Sequence, residues 1–433
     1  MTRLGHASRR TFLGGALAAT AALSSSALSG CARGTLTRAA PAGVVTMNND
    51  NSTWEPGYAA ASDVLEQRIG LELSVRAVPN TSNYQQVVRM SAQTDSTTDI
   101  IKWWNGFRLT DIARNGLLTE LDASWDRAEE NGWVSPGLRE QFSYQGHTYG
   151  VPLYKSYFAA FYSRSAFQRI GAEPPQTFED LLSLCAELRD AGITPIGAGG
   201  ATSWESLIWF QQLLGGLDPD FYQAVVDNSA SYTDAPAQEA MQHWVQMYAD
   251  NLFSPPDFDS STTPALLKDG SLGLTLTGTW QANSFTQAGV GSDDVGLFLV
   301  PPVDPAVEPM AFVESGAFAV PTNAHKQQDG LAVTSEWLAT EVQQAWVDFL
   351  GDTSANPDAV PTDSVVRELA EQTSRRPPRE LLRYWEASPP VLVEGNVQDL
   401  SAFMVTPDRA TARSTLQSMQ DRSIAEWRAW ENS

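Results

Sequence analysis

The amino-acid sequence predicts an α/β protein. One observation supports that class, and two more concern the number of domains and what stabilises them. Short apolar strand patterns alternate with helical patterns from residue 44 onward, as is typical of folds built on parallel sheet. The chain has 433 residues, enough for two domains or one large bilobed body. We expect no disulfide between its two cysteines, Cys31 and Cys185, so the fold must be stabilised by its apolar core.

The elements in the first quarter of the chain set the α/β pattern. Apolar alternation indicates strands, and a spacing of three to four residues indicates helices. In order, the predictions are a strand at residues 44–47, a helix at 58–69, a strand at 71–78, a strand from residue 99 and a helix at 109–115.

The clearest helix begins after Thr177. The Thr177 hydroxyl can cap the free amide of Asp180, and Gly192 is placed to end the helix. Cys185 falls on the apolar stripe of this helix, which predicts a buried core thiol and not a nucleophile. Later patterns predict further elements: helices across 201–255, strands at 272–276 and 295–300, one long helix at 331–350, a loop at 351–363 and mostly helix beyond.

The N-terminus has the pattern of an export signal. Paired arginines in residues 8–13 resemble a twin-arginine signal, and the apolar run that follows is too short to span a bilayer. Leu28-Ser29-Gly30-Cys31 resembles a bacterial lipobox. We therefore expect residues 1–30 to be the signal, Cys31 to carry lipid, and residues 31–43 to be a flexible spacer. The protein would then work outside the cytoplasm, anchored to the cell membrane.

Charge and histidine content exclude several classes of partner. The formal net charge of −23 repels phosphate backbones, so we expect no nucleic-acid partner. It also repels anionic lipid, which favours a lipid tether over surface adsorption. The four histidines are scattered and no paired-cysteine or His-Glu-x-x-His spacing occurs, so we expect no metal site and no cofactor.

Five segments in order resemble the family 1 extracellular solute-binding proteins, the sugar receptors of ATP-driven importers. They are residues 99–103 with 116–121, 150–152 with 161–167, 171–178 with the helix running to 196, 268–274 with 278–280, and 315–321 before the helix of 337–349. The chain departs from the family where Ser163 and Arg164 replace asparagine and lysine, and again at residues 270–274. No particular sugar is therefore assigned.

This resemblance implies a two-lobed periplasmic-binding-protein-like fold, with the ligand cleft between lobes that close by hinge motion. It implies lobe 1 at residues 44–153 and 302–352, lobe 2 at 154–301 and 353–433, and chain crossings near 152–157, 299–303 and 351–361. The implied partners are a carbohydrate ligand and separate permease and ATPase subunits of an ABC importer. We expect a monomer that has no enzymatic activity.

A sugar ring needs aromatic platforms for its apolar faces and aimed polar groups for its rim. Trp103 follows a strand and matches a family position, while the adjacent Trp104 would point the other way, into the core. Trp280 follows Gly278 in the family's Gly-x-Trp pattern on the second lobe. The remaining candidate ligand contacts lie in loops and at crossings: Asp50, Trp54, Tyr154, Lys155, Ser156, Trp204 and Glu314.

Two other functions compete with a sugar receptor. A secreted glycoside hydrolase would need two carboxylates at a fixed separation, and none of the acidic residues sits in a recognisable motif. A receptor of the same fold for a non-sugar solute, such as a polyamine, is consistent with the acidic body. Turnover of glycosides would favour the first alternative, and stabilisation by putrescine but by no sugar the second.

Overall fold

The computed structural model describes residues 43–78, 80–200 and 204–432. The predicted export signal, Cys31 and nearly all of the spacer lie outside these residues. Within the described ranges, no helix is long and apolar enough to cross a membrane.

The described residues form mixed α/β structure. The strands are β1 (Val44–Asn49), β2 (Glu72–Ala77), β3 (Ile100–Trp103), β4 (Ser143–Tyr144), β5 (His147–Thr148), β6 (Ser156–Ser163), β7 (Thr194–Gly197), β8 (Leu272–Gly278), β9 (Val295–Phe298), β10 (Met310–Glu314), β11 (Ala317–Ala319) and β12 (Arg379–Leu382). The helices are α1 (Glu55–Ile69), α2 (Thr81–Ser91), α3 (Gly106–Ala113), α4 (Asp122–Glu130), α5 (Arg164–Ile170), α6 (Phe178–Asp190), α7 (Leu207–Leu217), α8 (Pro219–Val226), α9 (Ala235–Ala249), α10 (Thr263–Asp269), α11 (Ala282–Gln287), α12 (Gln327–Trp337), α13 (Thr340–Leu350), α14 (Ser364–Arg375), α15 (Tyr384–Ala387), α16 (Pro390–Val405) and α17 (Arg409–Glu431).

The first lobe is built on a four-stranded sheet in the order β11-β3-β1-β2. Strand β1 pairs parallel with both β2 and β3, and β11 joins β3 in the antiparallel direction. Val45 and Met47 point into the core, where Tyr58 and Leu65 of α1 are fully buried. The predicted strand–helix–strand start of the chain is therefore confirmed, and the carboxyl ends of β1 and β3 lie side by side.

The second lobe contains a six-stranded mixed sheet. Its order is β12-β10-β6-β8-β7, and β9 pairs with β6 beyond β10, on the edge opposite β8. All eight residues of β6 are buried, as expected for a central strand covered on both faces. The two-lobed α/β class expected from the sequence is confirmed by these two sheets and by the solved structures described below.

Three chain segments pass between the two sheets and hydrogen-bond to one another. The first lies between Val151, which bridges to Phe318 of the first sheet, and Ser156 at the start of β6. The Leu153 amide donates to the Ser315 carbonyl of the second segment at 3.0 Å. The Lys155 amide donates at 3.3 Å to the Thr353 carbonyl of the third segment, which links α13 to α14.

The second crossing was placed wrongly by the sequence. We expected it near residues 299–303, which would put residues 302–314 in lobe 1. Strand β10 instead pairs with β6 and β12 of the second sheet, so the chain crosses at Ser315 and Gly316, directly before β11. The sequence analysis predicts no strand over Met310–Glu314, so it could not assign this segment to either sheet. The other lobe boundaries remain predictions.

Two local predictions for α6 are confirmed, and the prediction of one long helix at 331–350 is wrong. Thr177 and Asp180 form a reciprocal capping box at the start of α6, and Cys185 is fully buried, where burial raises the pKa of its thiol to about 12. The long helix expected over 331–350 is wrong, because Ala339 is extended and separates α12 from α13. The Asn356 side-chain amide donates to the Leu338 carbonyl at 2.8 Å, which satisfies a helix end at the break.

Candidate functional site

A cavity of about 210 Å³ lies between the two lobes, next to the crossings. We call it the inner cavity. Residues of both lobes line it: Asp50, Asn51, Trp54, Thr81, Lys102, Trp104, Tyr154, Trp204, Trp280, Glu314, Arg383 and Trp385. Five of these twelve side chains are tryptophans, so the walls combine large aromatic faces with a few charged groups.

The first-lobe wall is organised around a buried ion pair. Asp50 follows β1 and Lys102 lies on β3, so the parallel pairing of these strands brings the two side chains to the same sheet edge. The Lys102 ammonium is 3.1 Å from the Asp50 carboxylate. It also lies 4.3 Å from the centre of the Trp104 ring, within the range of a cation–π contact. These contacts fix the orientation of the Trp104 ring.

The wall nearest the crossings is a second charged network. Glu314, at the end of β10, forms an ion pair with Arg383 and accepts a hydrogen bond from the Tyr154 hydroxyl. Arg383 also donates to Glu386, at 2.9 Å from its Nε. Burial alone would lower the pKa of Arg383, but Glu314 and Glu386 raise it above its ordinary value. Burial and the Glu314 carboxylate raise the pKa of Tyr154, so this hydroxyl stays protonated and donates.

Two tryptophans form the aromatic wall of the second lobe. The Trp204 and Trp280 ring centres are 6.2 Å apart, and the Arg383 guanidinium lies 5.4 and 5.7 Å from them. Trp280 follows the end of β8 and packs edge-on against Phe158 at 5.3 Å. A Cβ at position 278 would overlap the Trp280 ring, so Gly278 is required for this ring position. The Gly-x-Trp pattern thus has a direct steric basis.

The structure brings together six of the nine ligand contacts proposed from the sequence. These are Asp50, Trp54, Tyr154, Trp204, Trp280 and Glu314. The expectation for Trp103 is wrong, because its ring is fully buried and its indole N–H donates to the Arg108 carbonyl at 2.9 Å. Its neighbour Trp104 lines the cavity instead. Adjacent side chains do point to opposite sides as expected, but Trp104 faces the cavity and Trp103 the core, the reverse of the prediction.

Lys155 and Ser156 also lie away from the inner cavity. Lys155 forms an ion pair with Glu380 at 2.6 Å. Ser156 is buried and donates to Asp352, on the third crossing. Both residues therefore hold the crossings and the second sheet in place, which a position in the chain alone could not reveal.

Sequence reasoning missed several lining residues. Lys102 lies in one of the segments that carry the family resemblance, but nothing in its sequence spacing marks its side chain as a ligand contact. Arg383 and Trp385 follow β12, a short strand that was assigned to helix, so no sheet edge was anticipated there. A buried arginine flanked by two acids and two tryptophans leaves no fixed sequence spacing by which to recognise it.

Arg108 connects the two lobes at the side of the cavity away from the crossings. It is fully buried, its Nε donates to the Trp385 carbonyl at 2.9 Å, and its guanidinium stacks 3.6 Å from the Trp385 ring centre. It also pairs with Glu394 at 3.3 Å. Burial lowers the pKa of Arg108 to about 10, which leaves it charged at neutral pH. This side chain was not anticipated as functional.

One group of potential metal ligands occurs among the described residues. Glu120, Asp122 and His147 lie within 4.8 Å of one another on the first lobe. Burial would raise the pKa of Asp122, but hydrogen bonds from His147 and Thr148 lower it to about 2. None of the three lines the inner cavity, so the cluster is separate from the candidate site.

The fold is that of two-lobed solute-binding proteins. The chain belongs to the bacterial extracellular solute-binding protein family, whose model matches residues 59–371. It is 29% identical over 244 residues to a probable sugar-binding periplasmic protein of Rhizobium meliloti, and the match covers 54% of this chain and 58% of the relative. The chain thus spans little more than half the length of this curated relative.

Solved structures share the fold over most of the chain. The bacterial solute receptor AcbH, described as preferring β-D-galactopyranose, superimposes with a TM-score of 0.79 at 16% identity, over 88% of this chain and 98% of AcbH. A probable secreted solute-binding lipoprotein of Streptomyces coelicolor gives a TM-score of 0.71 at 16% identity, over 87% of this chain and 98% of that protein. At this identity the likeness concerns the fold alone.

Proposed function

We propose that the protein is an extracytoplasmic receptor that binds a carbohydrate between its lobes and passes it to an ABC importer. The observation that carries the proposal is the inner cavity, in which five tryptophans surround a small set of fixed polar groups. Flat aromatic faces suit the C–H faces of a sugar ring, and the Glu314, Asp50 and Tyr154 oxygens suit its hydroxyls. The relative described as a probable sugar-binding periplasmic protein supports the same class of ligand.

The charges of the cavity favour a neutral ligand over a polyamine. Its two carboxylates already have cationic partners, Lys102 for Asp50 and Arg383 for Glu314. The same cations lie over the faces of Trp104, Trp204 and Trp280, where a cationic ligand would have to stack. A polyamine would therefore meet neutralised acids and positively charged platforms.

Anchoring and delivery complete the proposal. The lipobox-like sequence before Cys31 supports export by the twin-arginine route and attachment to the membrane through lipid. A receptor held there would hand its ligand to separate permease and ATPase subunits. The sugar would be released chemically unchanged, since the acidic groups of the cavity are held in ion pairs and not poised as an acid–base pair.

A ligand screen with a matched pair of variants tests the assignment. Thermal shift against mono- and oligosaccharides, with putrescine and spermidine included, should show stabilisation by a sugar and by neither amine. Removing one aromatic platform costs on the order of 0.5–1.5 kcal/mol beyond its area, so Trp280→Ala should bind that sugar at least about tenfold more weakly by calorimetry. Trp133→Ala changes a half-buried tryptophan outside the cavity and should bind normally.

Three results would contradict the proposal. Stabilisation by an amine but by no sugar would replace carbohydrate with polyamine. Recovery of a cleaved or otherwise altered sugar would make the protein an enzyme. Equal affinities for wild type and Trp280→Ala would remove that ring from the ligand site.

A further inference from the structure

A second, larger cavity of about 900 Å³ adjoins the inner cavity between the lobes. We call it the outer cavity. It lies between α2 of the first lobe and α16 of the second, and Thr81, Trp204 and Trp385 line both cavities. Its polar walls include Gln85, Gln86, Arg89, Asp111, Glu394 and Gln398.

The two volumes differ in what they can hold. A cavity of about 150 Å³ can hold one six-membered ring, so the inner cavity, at about 210 Å³, is on the scale of one sugar ring and not of a chain of rings. The outer cavity is more than four times as large and adjoins the inner cavity, because three residues line both. A ligand that extended from the inner cavity past these residues would enter the outer cavity.

The walls of the outer cavity are suited to an uncharged polyhydroxylated chain. Gln85 and Gln86 on α2 face Gln398 on α16 across the space. A side-chain amide both donates and accepts hydrogen bonds, as a sugar hydroxyl does, so these groups can follow a chain of rings in several orientations.

The charged groups of the outer cavity are paired within the protein. Arg89 lies 2.5 Å from Asp111, and Glu394 pairs with the buried Arg108. The walls therefore present no uncompensated charge to select a uronic acid or an amine.

From this geometry we infer that the ligand is a neutral oligosaccharide of at least two rings, with one terminal ring in the inner cavity and the next rings between α2 and α16. The inference rests on the proposed function and specifies its substrate class. A monosaccharide would fill the inner cavity and leave the amide-lined space to water. The shared tryptophans, Trp204 and Trp385, would stack against the ring at the junction.

Another cavity gives the alternative direction in which a ligand could extend. It measures about 400 Å³, is lined by second-lobe residues alone, and includes Glu205 and Gln281, the residues that follow Trp204 and Trp280. A chain extending there would contact Gln281 and would leave Gln85 and Gln398 free of ligand. Variants at these three glutamines therefore separate the two directions.

The experiment measures affinity against chain length by calorimetry. The probes are glucose to maltotetraose, xylose to xylotetraose, and galactose with galactobiose and galactotriose. For the series that binds, wild type should bind the trisaccharide at least about tenfold more tightly than the monosaccharide. Gln85→Ala and Gln398→Ala should each weaken trisaccharide binding about three- to tenfold, as expected for one lost hydrogen bond, and leave monosaccharide binding unchanged. Gln281→Ala should change neither affinity.

The outcomes distinguish this inference from the proposed function. Equal affinity for one and three rings would overturn the oligosaccharide assignment and leave the sugar receptor intact. A gain with chain length that Gln281→Ala abolishes, but that the other two variants retain, would overturn the outward direction. Binding of no sugar in any series, with a polyamine bound instead, would overturn the proposed function itself.

Discussion

Asp352 offers a test of how the crossings respond to pH. This carboxyl is fully buried on the third crossing, where its oxygens accept hydrogen bonds from Ser156 on the first crossing and from the Thr353 amide at 2.7 Å. Burial raises the pKa of Asp352 to about 7, although hydrogen bonds from Ser156 and Thr279 partly oppose the shift. We predict that the free energy of unfolding of Asp352→Asn increases relative to that of the wild type as the pH rises.

The direction follows from proton binding. Between the unfolded value of 3.8 and the folded value of about 7, the folded protein keeps a proton on Asp352 that the unfolded chain has released. The stability that this proton contributes is complete below pH 3.8 and is lost as the pH rises through 7. From pH 5 to pH 8, these two pKa values correspond to a loss of about 2.5 kcal/mol in the free energy of unfolding. Asparagine has no such proton and escapes this loss.

Urea unfolding at pH 5, 6, 7 and 8 measures the effect as a difference between wild type and variant. The difference should move in favour of Asp352→Asn by about 2.5 kcal/mol across that range, with most of the change below pH 7. Asp293→Asn, at an exposed position, corrects for the change in net charge. A difference that stays constant over all four pH values would refute a raised pKa, whatever its sign.

Three further predictions concern the site and the anchor. Trp104→Ala should weaken sugar binding at least about fivefold with little loss of stability, whereas Trp103→Ala should lower the free energy of unfolding by about 3–5 kcal/mol, and calorimetry with urea unfolding would expose a reversed pattern. Cys31→Ala should release the protein from the membrane fraction, and an unmodified Cys31 in the intact mass of membrane-extracted protein would count against lipidation. Small-angle scattering should show a smaller radius of gyration once the sugar is bound, and an unchanged radius at saturation would contradict closure.

The sequence was most informative where a local rule governs the structure. The capping box of Thr177 and Asp180, the buried thiol of Cys185 and the first strands depend on nearby residues, and all were predicted. The break at Ala339 was missed because the groups that satisfy the helix end come from Gln343 and from residue 356 beyond the helix. Sequence periodicity carries no record of such partners.

In the candidate site, too, residues placed by local rules were predicted and residues placed by distant partners were missed. Residues that directly follow strands, such as Asp50 and Trp280, were found because strand ends meet at one edge of a sheet. The choice between Trp103 and Trp104 needed the side of β3 that faces the core, which depends on packing against Tyr84 and α3. Arg383 was missed because its partner Glu314 lies on β10, a strand whose sheet the sequence did not identify.

The two-residue crossing at Ser315 and Gly316 lies outside the cavity. In a protein whose lobes close on the ligand, a change there would alter how tightly all ligands bind but not which ligand binds best. Gly316 has a φ of 52°, and a Cβ there would lie 3.3 Å from the Leu153 Cβ, so almost any other residue would strain the backbone at this crossing. The apparent dissociation constant is the intrinsic value divided by the fraction of binding-competent protein. A substitution that changed this fraction, and nothing in the cavity, would multiply the dissociation constants of all ligands by one common factor and leave their ranking untouched. A sensor built on this scaffold could have its working range adjusted there without redesign of the cavity.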